Sequence, residues 1–480
     1  MKQKGKPIKA VIFDLDGTLL DTLEDLATSM NHVLQNHGYP VRTREEIRSF
    51  VGNGIRKLVE RAAGFPDGQA STDKQLLDQM FEEMSEYYEA HCNERTAPYA
   101  GITKCLAQLK QEGIKMAVVS NKLDKAVTDL VGLYFSEWIS ESAGDQPGMR
   151  IKPAPDTLFL VMERLFVSPE ECVYVGDSDV DIQTAAHAGV PCISVCWGFR
   201  GREFLLAHGA STLVDTPAEL LEVLATWQQV RRRQYQYLLF DLDGTLTNPA
   251  EGITKSVQYA LKNFGITAET DDLLCFIGPP LGDSFRDFFG FDEEQTKLAV
   301  AKYRERYTET GIYENFAYEG IRELLEALSA SGYRLGVATS KPEGMARRVL
   351  EHFRLAEYFE VVTGSELDGT RARKGEVIEE AIRRFNKLEG NPIERRQVLM
   401  IGDRSFDVLG AKEAGITSLG VSYGFARPGE LKEAGADFVI QTVAELYALF
   451  CGASSLGRGR EEDEASFCRG GGGQPDHCSD

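Results

Sequence analysis

Short runs of apolar, partly β-branched residues recur along the chain, and each ends in a polar cluster. Ala10 to Phe13 stops at Asp14-Leu15-Asp16-Gly17, Ile114 to Val119 at Ser120-Asn121-Lys122, and Cys172 to Val175 at Gly176-Asp177-Ser178-Asp179-Val180-Asp181; Pro191 to Val195 follows. Continuous apolar runs of this length predict strands buried on both faces. Between the first two runs the periodicity becomes helical. Leu23, Leu26 and Met30, then Ile47, Val51, Ile55, Leu58 and Val59, predict a helical insertion from Thr22 to about Ala97, broken at Val51-Gly52-Asn53-Gly54. A helix is expected from Gly101 through Leu106 and Leu109. Strands alternating with helices predict an α/β fold, a doubly wound, mostly parallel, Rossmann-like sheet with helices on both faces.

The pattern then starts again. Thr216-Pro217-Ala218-Glu219 opens an amphipathic helix running towards Arg231, with Thr as N-cap, Pro at the first helical position and Glu at the third. After Arg231-Arg232-Arg233-Gln234, read as a helix end and a solvated link, Tyr237-Leu238-Leu239-Phe240 leads into Asp241-Leu242-Asp243-Gly244-Thr245-Leu246. The heptad Phe-Asp-Leu-Asp-Gly-Thr-Leu is therefore present twice. Asp241 follows Asp14 by 227 positions, Asp403 follows Asp177 by 226, and Thr442 follows Thr216 by 226. So constant an offset predicts two tandem domains: residues 1–232 with a cap at about 21–97, and 234–451 with a cap at about 248–315. Residues 452–480, rich in Gly and charge, cannot bury a core and are expected to be a disordered tail.

Composition narrows the partners. With 53 Lys and Arg against 74 Asp and Glu, the net charge of −21 disfavours nucleic acid. No apolar segment approaches about 18 residues, so no membrane span is expected. Nine scattered cysteines form no framework and point to a reducing cytoplasm. Cys192 and Cys196 read as small residues beside a strand, and His477 with Cys478 is too weak a pair for a metal site.

In an open parallel sheet, ligands bind outside the C-terminal strand ends, where strand order reverses. The polar clusters fall there: Asp14 and Asp16, Ser120, Asp177 and Asp181, with Lys152 from an intervening loop. So many carboxylates in one cleft call for a cation, and oxygen ligands favour Mg²⁺. A carboxylate aimed at phosphorus can form an aspartyl phosphate. A second carboxylate two residues on can protonate the leaving alcohol and deprotonate the hydrolytic water. Ser120 and Lys152 supply donors and positive charge to the phosphoryl oxygens.

With these motifs the chain resembles two haloacid dehalogenase-like hydrolases fused in tandem, of the phosphatase branch, over about residues 8–450. The resemblance implies that Asp14 is nucleophile and metal ligand, that Asp16 is the acid/base and lends its carbonyl to Mg²⁺, and that Asp177 is a metal ligand. Asp181 would orient metal-bound water or Lys152. The matching positions are Asp241, Asp243, Thr339, Lys374, Asp403 and Asp407. The second acid of each motif, Asp16 or Asp243, favours phosphate esters over carbon–halogen bonds. Substrate choice is assigned to the cap loops Gly52-Asn53-Gly54 and Gly278-Pro279-Pro280. The first unit is most similar to phosphoglycolate phosphatases. The second is similar to the 5′-nucleotidase-like branch, although Phe406 stands where that branch is expected to carry His. Two alternatives stay open: that one unit only senses a phosphorylated metabolite or acts as a scaffold, and that the chemistry is a sugar phosphomutase's.

Overall fold

The structure, a computed structural model, describes residues 6–52, 54–65, 74–366, 370–371 and 373–452. Asn53 and the expected tail beyond Gly452 lie outside the described residues. The described chain falls into two compact units, 10–216 and 217–451, the latter joined by residues 6–9.

In the first unit six strands pair in parallel, in the order Glu141–Asp145, Lys115–Leu123, Ala10–Phe13, Cys172–Gly176, Cys192–Val195, Leu213–Val214. Ala10–Phe13 lies between Lys115–Leu123 and Cys172–Gly176, and the chain builds outwards from it first on one side and then on the other. That is the topological switch point, and Asp14 sits on it. All four residues of this strand are buried, because helices cover both faces. Glu141–Asp145 and Leu213–Val214 are edge strands that the apolar pattern did not announce. An edge strand pairs on one side only and needs few apolar residues.

Leaving the central strand, the chain turns at Gly17, whose φ of +89° suits glycine. A Cβ there would lie 2.4 Å from an Asp177 oxygen, so the turn also needs the missing side chain for close approach. A short antiparallel ribbon, Leu20–Asp21 with Ala97–Pro98, then gates the inserted cap. The cap consists of helices Leu23–Asn36, Arg44–Phe50, Gly54–Ala63 and Lys74–His91 around Leu26, Met30, Val33, Ile47, Met80 and Met84. Thr43 and Glu46 form a reciprocal capping box at the second helix.

The second unit repeats this plan. Its parallel order is Val361–Ser365, Arg334–Pro342, Tyr237–Phe240, Val398–Gly402, Thr417–Val421, Phe438–Ile440. The ribbon is Thr247–Asn248 with Phe316–Ala317, and the cap includes helices Ala250–Lys262, Leu281–Phe289 and Glu293–Tyr307. Helix Pro217–Arg232, read as the close of the first repeat, belongs to this compact unit and meets helix Val443–Cys451. Trp227 Nε1 donates to Glu445 Oε1 at 3.3 Å, and Arg231 donates to the carbonyls of Ala448 at 2.9 Å and Leu449 at 3.1 Å. Arg231 is thus buried and caps a neighbouring helix rather than solvating a link, while Arg232 and Arg233 stay exposed. No helix among the described residues is long and apolar enough to cross a membrane.

Candidate active site

Within the first unit the predicted residues converge at the C-terminal ends of the central strands. Lys152 Nζ donates to Asp14 Oδ1 at 2.6 Å and to Asp181 Oδ1 at 2.7 Å. The Tyr174 hydroxyl lies 3.1 Å from the same nitrogen and donates to Asp181 at 3.0 Å. Asp177 Oδ2 accepts the Phe199 amide at 2.6 Å. Asp181 accepts from the Ser178 amide and hydroxyl, which fastens it to the start of helix Asp179–Ala188. Asp16 Oδ1 accepts from Thr22 Oγ1 and from Lys122 Nζ, each at 2.7 Å, while Ser120 Oγ is 3.4 Å from Asp16 Oδ2. A cleft of about 80 Å³ opens on these groups. Gly52 and Gly54 from the cap line it, with Leu26, Val51, Ile55 and Leu58 as an apolar wall.

The second unit repeats the core of the arrangement. Lys374 Nζ lies 2.8 Å from Asp241 Oδ1 and 2.5 Å from Asp407 Oδ1. Asp403 accepts the Phe425 amide at 2.8 Å and the Thr245 hydroxyl at 3.1 Å. Lys341 pairs with Asp243, and Thr339 Oγ1 accepts the Lys341 amide at 3.3 Å. Of the second cap loop, Gly278 lies against Arg404 and Pro280 begins helix Leu281–Phe289. Pro279 is half-buried between them.

Four residues here had escaped the sequence reading. Lys122 and Lys341 each grip the second carboxylate of the opening motif, and each faces an aromatic residue of its cap. Lys122 is 2.6 Å from the Tyr88 hydroxyl, and Lys341 is 5.1 Å from the Tyr307 ring centre. The signal was available: Ser120-Asn121-Lys122 and Thr339-Ser340-Lys341 share a hydroxyl-any-Lys pattern, and Lys341 and Tyr307 each follow their counterparts by 219 positions.

Burial dominates the electrostatics of both clusters. Burial pushes the Asp14 carboxyl well above the ordinary range; Lys152 opposes this, while Asp181, Asp177 and Asp16 add to it. Burial, with Asp181, pushes Asp177 up to about 7 against the Phe199 amide. In the second unit, burial and then Asp407 and Asp241 raise Asp403, and burial raises Asp407 to about 6 despite Lys374. Burial alone would lower Lys152, but Asp14 and Asp181 hold its charge firmly. Oxygens of Asp14, Asp177 and Asp181, and again of Asp241, Asp403 and Asp407, lie within 4.8 Å of one another. Three buried carboxylates with one lysine leave uncompensated negative charge, which a hard dication with oxygen ligands fits.

Against this geometry, the family model described as haloacid dehalogenase-like hydrolase matches residues 11–195 and again 238–421. The chain belongs to that family twice over. The two haloacid dehalogenase-like units together account for most of its length. Among relatives, a 5′-nucleotidase of Pseudomonas aeruginosa is 50% identical over 200 residues, 42% of this chain and 88% of that protein. A phosphoglycolate phosphatase of Pseudomonas savastanoi pv. phaseolicola is 35% identical over 225 residues, 46% of this chain and 78% of that one. Tyrosine-protein kinase PtkA of Mycobacterium tuberculosis is 39% identical over 208 residues, 43% of this chain and 66% of PtkA. A solved structure of a predicted phosphatase from Clostridium acetobutylicum, 46% identical, covers 44% of this chain and 96% of its own at a TM-score of 0.42. Each match spans about one haloacid dehalogenase-like unit.

Proposed function

We propose that the chain is a Mg²⁺-dependent phosphoric monoester hydrolase with two active sites acting on small phosphorylated metabolites. The observation that carries this reading is the pairing of two carboxylates one residue apart, each held by its own buried lysine: Asp14 by Lys152 and Asp16 by Lys122, and again Asp241 by Lys374 and Asp243 by Lys341. Two adjacent acids with separate partners can take separate roles.

An Asp14 carboxylate oxygen attacks phosphorus and the bond to the leaving oxygen breaks. Asp16 gives that oxygen its proton, and the alcohol departs. The resulting aspartyl phosphate is then attacked by water, whose proton returns to Asp16, releasing inorganic phosphate and free Asp14. Ser120 and Lys152 donate to the phosphoryl oxygens. Asp241, Asp243, Thr339 and Lys374 take these parts in the second unit. Asp14 and Asp177, or Asp241 and Asp403, would hold Mg²⁺, which when bound neutralises charge on the transferring phosphoryl group.

For substrate, the small first cleft suits a short phosphate ester, and phosphoglycolate is the reading in keeping with one set of relatives. A nucleotide-like ester is the corresponding reading for the second site, in keeping with another. We place the activity in the cytoplasm, since the nine scattered cysteines form no framework, and a net charge of −21 leaves nucleic acid out of the partner list.

A screen of phosphorylated metabolites with Mg²⁺ tests the reading on the wild type, Asp14→Asn, Asp241→Asn and the double variant. Each single variant should lose one part of the substrate profile by about a thousandfold or more, and the double variant should lose both. A profile untouched by Asp241→Asn would reduce the second unit to a binding module. Turnover in the double variant or in EDTA would overturn the mechanism.

A further inference from the structure

Each unit ties its cap to its core through the same carbonyl, but with an arginine from a different loop. The carbonyl belongs to the residue before a positive-φ glycine of the cap loop: Val51 before Gly52 at φ +132°, and Ile277 before Gly278 at φ +105°. In the first unit Arg200, beyond strand Cys192–Val195, donates to the Val51 carbonyl at 2.8 Å and to that of Arg48 at 3.2 Å. Arg48 answers from the cap, donating to the carbonyls of Phe199 at 2.6 Å and Gly198 at 2.9 Å. The amide of that same Phe199 holds Asp177. The cap contact is therefore one residue removed from a predicted metal ligand.

By the 226-residue offset, Arg200 corresponds to Ala426 and Arg48 to Leu274, so the second unit lacks both arginines. It has instead Arg404, at the position of Ser178 and directly after Asp403. Arg404 Nη1 donates to the Ile277 carbonyl, and its Nε lies 3.1 Å from Glu430 Oε1. Glu430 stands at the position of Phe204, over whose ring Arg200 lies at 5.1 Å. Each arginine has the companion its own starting point requires, a ring for the one and a buried carboxylate for the other. A contact rebuilt from a second place in the sequence, with its support rebuilt alongside, is one that the two sites need in common. Charge-assisted bonds to a carbonyl are strong enough to bias a lid and few enough to release it.

We propose that this arginine–carbonyl bond is the latch of each cap, with Arg200 and Arg404 as positioning residues that hold the cap loop down over bound substrate. Its kinetic consequence rests on the hydrolase reading; its structural consequence does not.

Hydrogen–deuterium exchange on the full chain reads the structural part. Arg200→Ala should raise exchange in residues 44–56 and leave 271–285 unchanged, and Arg404→Ala should do the converse, with the central strands still protected as the control for folding. In the variant Arg404→Ser, adding Ala426→Arg and Glu430→Phe transplants the first unit's latch and should restore protection. Kinetics with p-nitrophenyl phosphate and Mg²⁺ read the other part, in the Asp241→Asn background so that only the first unit turns over. There Arg200→Ala should raise KM by about tenfold or more, since charge-assisted hydrogen bonds to the Val51 and Arg48 carbonyls are lost together, with kcat within about twofold. Arg200→Lys should recover part of that loss. Unchanged exchange in both alanine variants overturns the latch, and an opened loop with unchanged KM overturns its positioning role. Absence of turnover in the wild type would count against the hydrolase reading, while the exchange data would still decide the latch.

Discussion

Asp16 accepts hydrogen bonds from Thr22 and Lys122, whereas Asp243 is held by Lys341 and keeps one buried oxygen without a hydrogen-bond partner. The 227-residue offset puts Pro249 where Thr22 stands, and proline has no hydroxyl to give. Burial, opposed by Lys341, raises the Asp243 carboxyl. A general acid must carry its proton in the free enzyme, so a raised value extends activity to higher pH. Pro249→Thr supplies a donor that stabilises the carboxylate. In the Asp14→Asn background, the alkaline limb of the second unit's pH–kcat/KM profile should therefore move to lower pH. An unmoved limb would detach Asp243 from proton transfer. Lys122→Met removes the ammonium that holds Asp16 and strands the Tyr88 hydroxyl; in the Asp241→Asn background kcat should fall by about 10² or more. At this scale the sequence showed the aspartates, because a pair one residue apart at a strand end and present twice is hard to reach by chance. It did not show Lys122, because one lysine at a strand end is usually a solvated cation. Only the parallel register of Lys115–Leu123 against Ala10–Phe13 carries it beside Asp16.

Helices and strands show the same division. The central strands were legible from uninterrupted apolar residues, and the caps from helical spacing. How each cap is fastened was not, because that depends on single side chains meeting backbone far along the chain. Asp25, in helix Leu23–Asn36, is buried and accepts from the amides of Glu94, Arg95 and Thr96 and from the Thr96 hydroxyl at 2.8 Å. It ties the chain's exit from the core to its return. At the same offset the second unit has Gly252, whose amide donates to the Glu314 carbonyl at 3.0 Å. A Cβ on Gly252 would lie 1.9 Å from the Gly311 carbonyl oxygen. One unit bridges the gap with a carboxylate and the other closes it with bare backbone. Asp25→Ala should destabilise the first unit by about 3 kcal/mol, since several buried donors lose their acceptor together. Gly252→Ala should destabilise the second by about 1–3 kcal/mol through forced separation. Denaturant titration, followed by exchange in the affected cap, separates the two; a loss below about 0.5 kcal/mol in either variant would mean that the fastening is incidental.

Over the whole molecule, the constant offset made the duplication legible in the sequence alone. It assigned helix Pro217–Arg232 to the first unit, whereas the helix belongs to the second compact unit: a capping box says where a helix starts, while Trp227 and Arg231 reveal their partners only once Glu445 and the end of helix Val443–Cys451 are folded against them. Both units share a charge problem that a single titration can expose. The proposed ligands Asp177 and Asp403 are raised, the first to about 7 and the second well above the ordinary carboxylate range, by burial first. A carboxyl whose folded value exceeds its unfolded one contributes stability that is complete below the unfolded value, near 3.9, and is lost as pH rises through the folded one. In EDTA the protein should therefore lose stability between about pH 4 and pH 7. At the proposed site Mg²⁺ would bind the deprotonated acids, so its affinity should rise across the same window and offset the loss. At a hundred times its dissociation constant the ion would add about 2.7 kcal/mol, or about 5 °C or more in Tm for a unit of this size. The Mg²⁺-induced rise in Tm should accordingly be larger at pH 8 than at pH 5, measured by calorimetry in EDTA and in MgCl₂. Equal shifts at the two pH values would mean that these carboxylates are not where the ion binds.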